Sequence, residues 1–262
     1  DKGLSREEVY EKMAKNLKVM KDGATEGREK EVYSLSGLIG GDGYKIQKYL
    51  EKGDTLTGDV TVKAMAMALS SSEVNAGMGR IVACPTAGSC GILPAVILSA
   101  GEKLGKTDEE LIDALFTSAA VGMIIGMNAT LSGAEGGCQA ECGSAAAMGS
   151  AAVVEMMGGT PRMSLDAAAI VIKNVLGLVC DPVAGLVEIP CAKRNAAGAI
   201  SALCTADMVM AGVSSKIPFD DTVSAMYKVG KSLPSALRET AMGGVAVTKA
   251  GLELRKKVFG EE

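Results

Sequence analysis

The sequence predicts an all-α fold, a single domain of about ten helices with functional Gly- and Cys-containing loops between them. Three observations lead there. Period-two alternation, the mark of strands, is nearly missing; residues 80–84 (RIVAC) are the one short candidate. Helix-start signals recur instead: Ser5-Arg-Glu-Glu8 and Thr107-Asp-Glu-Glu110 are capping boxes, in which a hydroxyl and a carboxylate satisfy the helix's first N–H groups. The composition has 3% aromatics, no Trp and 33 Gly in 262 residues, so the core must be built from Ala, Met, Leu, Ile and Val on closely packed backbones.

Taken in order, the first box opens an amphipathic helix to about Met20. Residues 21–30 are charged and contain glycines, and read as an exposed connection, so 1–30 is an N-terminal helix with its connection inside one domain of 1–262. Residues 34–44 (SLSGLIGGDGY) form the first Gly-rich loop, and Asp42 or Gly43 caps a short helix through Leu50. A helix runs from Gly58 to about Val74. Residues 75–91 (NAGMGRIVACPTAGSCG) are a second loop, followed by a helix from Ile92 to Leu104 with Pro94 in its first turn, where a missing N–H does no harm. The second box starts a long buried helix. Its continuation, 114–134, is 21 residues without a charge, but Thr117, Ser118, Asn128, Thr130, Ser132 and several glycines favour a core helix and loop over a membrane span. A third Gly-rich loop, 132–143 (SGAEGGCQAECG), leads into a small-residue helix through about Met157. Pro161 and Ser164 start the next helix, Asp220 or Asp221 caps one towards Ser232, Pro234 opens a short one, and 252–257 is charged.

The most constrained stretch is 180–195, CDPVAGLVEIPCAKRN. Two cysteines frame ten residues; Pro182 and Pro190 stiffen both ends, and Ala184-Gly185 permits a tight turn. An apolar run (165–179) leads in and a small-residue helix (192–210) leads out, so the loop should be buried between helices.

Bulk properties exclude some functions. A net charge of −4 without a basic cluster gives no nucleic-acid footprint. The charged start at Asp1 shows no signal-peptide pattern, and seven cysteines, an odd number, fit a reduced cytoplasmic compartment better than a disulfide framework. There is no histidine, so a catalytic base must be Lys, Asp, Glu, Tyr, Cys or a bound hydroxide, or come from another chain.

Buried cysteines usually behave as small hydrophobes, the reading adopted for Cys204 and Cys84. Cys138, Cys180 and Cys191 stand apart because they lie in the two tightest loops, as C-x41-C-x10-C; Cys142 would share the face of Cys138 if that segment is helical. With no CxxC pair, spacing alone is a weak signal for a metal.

Three longer motifs sharpen it. GRIVACPTAGSCGILPAVILSA, GCQAECGSAAAMGSAA and CDPVAGLVEIPCAKRNAAGAISAL, in that order, resemble the α chain of the iron–sulfur L-serine dehydratases, as does SGLIGGDGYK. The resemblance implies a [4Fe–4S] cluster held by Cys138, Cys180 and Cys191 with one iron open; Cys90 belongs to a matching motif but is not assigned as a ligand. It also implies elimination of water from L-serine, through aminoacrylate, to pyruvate and ammonia. Nothing in the chain corresponds to the family's second α/β domain, so the resemblance implies a separate β chain in a hetero-oligomer.

Other groups in these loops are candidates. Thr86 and Ser89, before a helix, and Ser36, Gly40 and Gly41, as a backbone nest, suit the substrate carboxylate; tight turns are the plainer reading. Arg194 and Asn195 follow the third cysteine, and Arg194 can bind carboxylate in two-pronged fashion or neutralise cluster charge. Glu141 and Asp181 lie near proposed ligands, to bind the amino group, tune the cluster or cap a helix. Lys45 and Lys193 are bases if burial lowers their pKa, and otherwise surface lysines. The base stays open. Competing functions are an L-cysteine desulfidase on the same fold, a pyridoxal-phosphate lyase using Lys45, and a non-catalytic iron–sulfur binding module.

Overall fold

Ser144–Met156 is the helix around which the others pack. Its sequence is small on every side, and all of it but Glu155 is buried. Small side chains let neighbours approach closely: a Cβ on Gly149 would sit 3.1 Å from Val96, and one on Gly122 would meet Met148 at 3.0 Å. The computed structural model describes residues 3–260; the charged start at Asp1 and the end of VFGEE lie outside the described residues.

In chain order the helices are α1 (Arg6–Glu29), α2 (Asp42–Leu50), α3 (Asp59–Ala76), α4 (Ile92–Leu104), α5 (Asp108–Asn128), α6 (Gly133–Gly136), α7 (Ser144–Met156), α8 (Pro161–Asn174), α9 (Cys191–Met210), α10 (Phe219–Ser232) and α11 (Lys249–Phe259). Helix α7 packs against α4, α5, α8 and α9, and α3 lies between α1, α2, α4 and α9. No strand is found among the described residues, only isolated bridges at Tyr33–Gly40 and Cys180–Arg238. The fold is all-α and one domain, as the pattern predicts. Both capping boxes form, and Pro94 lies in the first turn of α4.

Three local expectations change. Residues 21–29 continue α1 rather than connecting it onward. The glycines taken as breakers are packing positions: Gly27 N–H donates to Ser70 Oγ at 2.8 Å, and Ser70 Oγ donates to Gly23 O at 2.7 Å, so the bare faces of Gly23 and Gly27 let α3 close on α1. Residues 80–84, the one short period-two candidate, are irregular chain, in keeping with the all-α reading. Helix α5 is long and apolar enough to cross a membrane, yet is only half-buried: Leu111, Leu115 and Ile125 enter the core while Met123 and Met127 are exposed. Cys204 is exposed on α9, whereas Cys84 is buried.

Candidate active site

The loops bearing Cys138, Cys180 and Cys191 are brought together by polar side chains beside each cysteine. Helix α8 stops at Asn174, and the chain reverses through Gly177, whose left-handed φ of +87° suits glycine. Gln139, fully buried, ties this turn to the Cys138 loop: its Oε1 accepts from Gly177 N–H at 2.9 Å, while its Nε2 donates to Gly136 O and Met226 O, each at 2.9 Å. Its backbone N–H adds a bond to Leu178 O at 3.0 Å. Cys138 and Cys180 are thereby held at one place.

The loop from Cys180 closes as its prolines and small residues suggest. Ala184 and Gly185 both take left-handed φ, and Val183 N–H donates to Ile189 O at 2.8 Å. Cys191 begins α9. One turn on, Asn195 spends its whole amide on backbone: Nδ2 donates to Cys191 O at 2.9 Å and Gly88 O at 2.7 Å, and Oδ1 accepts from Gly91 N–H at 2.8 Å. It fastens the CPTAGSCG loop to the Cys191 turn.

All three thiols are buried, and none is in a disulfide. Burial pushes Cys191 up to about 12 and Cys180 higher still; the nearby Cys138 raises both further, and Cys191 adds to the effect on Cys180. Cys138 moves the other way. Its hydrogen bond with Cys142, the two sulfurs 3.3 Å apart, and then Arg194 favour its thiolate and hold it below the ordinary thiol range. Cys142 lies one helical turn on from Cys138, and residues 139–143 form a single π turn, an arrangement frequent at functional sites. Sulfurs that repel one another when ionised are a donor set suited to a shared cation, and thiolates are the ligands of zinc and of iron–sulfur clusters.

Around them, Arg194 Nη1 donates to Val179 O at 2.8 Å and Nη2 to the buried Asp181 Oδ1 at 2.9 Å. Asp181 Oδ2 accepts from Val245 N–H at 2.7 Å, drawing the C-terminal segment over the loop. Glu141 lies 3.9 Å from the Cys180 sulfur and accepts from Thr86; burial raises its pKa, and Glu239 adds to the rise. The Thr86 and Ser89 hydroxyls are 3.1 Å apart. A Cβ on Gly133 would overlap Glu141 and lie 3.1 Å from the Cys180 sulfur, so this backbone leaves a cradle that only glycine keeps open.

The remaining candidates are committed elsewhere. Ser36 Oγ donates to the buried Glu188 at 2.7 Å, joining the first Gly-rich loop to the cysteine-framed one. Gly41 N–H donates to Val32 O, and the first amides of α2 go to the buried Glu73 carboxylate, Asp42 N–H at 2.6 Å. Beside them, Gly40 pairs with Tyr33 in an isolated bridge. Lys45 and Lys193 both pair with Asp42, and that partner raises the Lys45 pKa, the direction opposite to what a base needs.

Sequence reasoning missed Glu239. Its carboxylate, that of Glu141 and the Cys180 sulfur all lie within 4.8 Å of one another. No spacing rule connects residues so far apart; the Cys180–Arg238 bridge does. Gln139 sits inside a quoted motif, but only its partners disclose its work.

A family model described as Serine dehydratase alpha chain matches residues 2–246. The chain is 52% identical, over 98% of its length and 85% of the other's, to the Bacillus subtilis (strain 168) protein named "Probable L-serine dehydratase, alpha chain". It is 48% identical to the L-serine dehydratase, alpha chain, of Peptoniphilus asaccharolyticus, over 98% of this chain and 88% of that one. An L-serine dehydratase of Escherichia coli (strain K12) is 37% identical over 93% of this chain but only 55% of its own length.

Proposed function

We propose that this chain, which belongs to the serine dehydratase alpha-chain family, holds the iron–sulfur centre of an L-serine dehydratase, a lyase that takes L-serine to pyruvate and ammonia. The observation that carries this reading is the meeting of three buried, unpaired thiols, Cys138, Cys180 and Cys191, from three separated points of the chain. They would hold a [4Fe–4S] cluster, three thiolates leaving one iron without a protein ligand. When bound, the cluster supplies a Lewis acid for serine's hydroxyl, a poor leaving group.

The chain's own residues do the rest. Arg194, close to Cys138, offsets thiolate charge and is itself fixed by Asp181 and Val179 O. Thr86 orients Glu141 beside Cys180. Asn195 and Gln139 hold the loops in register. Both lysine candidates pair with Asp42, Asp181 is held by Arg194 and Val245 N–H, Glu141 is given to the substrate's amino group, and the chain has no histidine, so we assign the acceptor of the Cα proton to a separate β chain, the partner that the term alpha chain implies. The seven unpaired cysteines suit the reducing cytoplasm.

The test is purification without oxygen, reconstitution, and iron and sulfide analysis beside Cys138→Ala, Cys180→Ala and Cys191→Ala. About four irons per chain are expected, lost in each variant. Serine turnover should require the β chain and exceed turnover of L-cysteine. A protein that stays colourless and iron-free after reconstitution refutes the mechanism; turnover by this chain alone refutes the assignment of the base.

A further inference from the structure

Among the described residues, Glu239 is the acidic side chain that the fold delivers to the site from the far end of the chain. The delivery is specific. Cys180 N–H donates to Leu237 O at 2.9 Å and Glu239 N–H donates to Cys180 O at 2.8 Å, so two backbone bonds register Glu239 against Cys180 itself. Asp181 anchors the same strap a few residues on, through Val245 N–H, and at Gly244 a Cβ would overlap its carboxylate. Glu239 holds a left-handed φ of +64°, a conformation unfavourable for a non-glycine residue that persists where surroundings impose it.

The placement is electrostatically unfavourable for an empty site. Two carboxylates and a sulfur share 4.8 Å, and among the described residues neither Glu141 nor Glu239 is paired with a cationic side chain. With Cys180 committed as a cluster ligand, two carboxylates remain, too few protein oxygens for a Ca²⁺ cage. They match an ammonium group, which offers three N–H donors and one positive charge.

We propose that Glu239, together with Glu141, binds the α-ammonium group of the amino-acid substrate beside Cys180. This rests on the serine dehydratase reading above and adds to it the residue that discriminates an amino acid from a plain hydroxy acid. Glu239 therefore acts on substrate affinity and on nothing the cluster needs for assembly.

The experiment uses the enzyme assembled with its β chain without oxygen, as wild type and Glu239→Gln, which keeps shape and removes charge. Three quantities are read: iron per chain, KM for L-serine, and Ki for 3-hydroxypropanoate, which is serine without its amino group. The expected result is wild-type iron, a KM raised at least tenfold, and a Ki changed less than twofold. Glu239→Asp should recover part of the loss. An unchanged KM overturns the proposal, as does a parallel rise of KM and Ki, or loss of iron in the Gln variant, each marking a structural role. A KM rise in Glu239→Gln that added EDTA reproduces in wild type would assign the carboxylates to a divalent cation and also overturn it. Iron-loaded wild type that fails to turn over serine refutes the underlying reading instead, and is seen before any variant is made.

Discussion

Replacing Gln139 by Met should loosen the whole site, and the size of the effect can be worked from its bonds. Methionine has nearly the same length and no amide. The change takes partners from Gly177 N–H, Gly136 O and Met226 O, all met at 2.9 Å by a fully buried side chain. A buried backbone group left unpaired costs about 1–3 kcal/mol. Met226 O retains a helical partner within α10, and the Gly177 turn is only part-buried, so the low end of the sum applies, about 3 kcal/mol. For a chain of this size that lowers Tm by roughly 6–12 °C. Glu at 139 should be worse than Met, because a carboxylate cannot donate to the two carbonyls and becomes a buried charge. The assay is thermal melting of the cluster-free chain by circular dichroism, with iron per chain after reconstitution as the second readout. Iron should fall because the same amide holds the Cys138 and Cys180 loops together. A Met variant melting within about 2 °C of wild type, with wild-type iron, refutes the reasoning.

Glu73 gives a pH prediction. Burial raises its pKa from 4.5 to about 7, against the opposing N–H bonds of Asp42 and Gly43. The folded chain therefore holds more protons than the unfolded one between these values, so stability falls as pH climbs through that window, by at most about 3 kcal/mol. Glu73→Gln should gain on wild type at pH 8 relative to pH 5 in urea unfolding; parallel pH curves for the two would contradict the assignment. Gly133→Ala should lower iron per chain by more than half (a factor of about two or greater) while far-UV circular dichroism is unchanged, since its Cβ would invade the cradle beside Glu141 and Cys180 although alanine favours a helix by about 1 kcal/mol. Wild-type iron in that variant would mean the cradle is not part of the site.

What could be read from the sequence was what neighbours in sequence decide. A capping box is complete within four residues, and Pro94 has one comfortable position in a helix, so the starts of α1 and α5 and the course of α4 were legible. The tight turn at Ala184-Gly185 likewise follows from its own residues. Glycine was misread in α1 because the same residue that breaks an isolated helix admits a neighbour's backbone; which role it plays depends on Ser70, 43 residues along from Gly27. Glu73 looks like any acid in a helix until the α2 amides meet it. The thiols stood out by their constrained loops and were marked as ligands by the resemblance of three motifs, whereas Glu239 stands in a plain context and is made part of the site by a bridge to Cys180.

On the proposed reading, the division of labour around the thiols explains why a cluster site can be built on so few sulfurs. In small zinc domains the metal supplies the folding energy, and ligands gather only when it binds. Here the thiols are gathered by bonds that use none of them: Gln139 joins the Cys138 and Cys180 loops, Asn195 joins the Cys191 turn to the loop before α4, and Arg194 with Asp181 closes the side between them. Each clamp lies within four residues of the cysteine it serves, so the scaffold and the donor set are specified by the same short motifs. That economy has a chemical consequence. Under the proposed function, a centre whose geometry is fixed by its surroundings would not need a fourth protein ligand to stay in place, and the position left over would be free for a substrate.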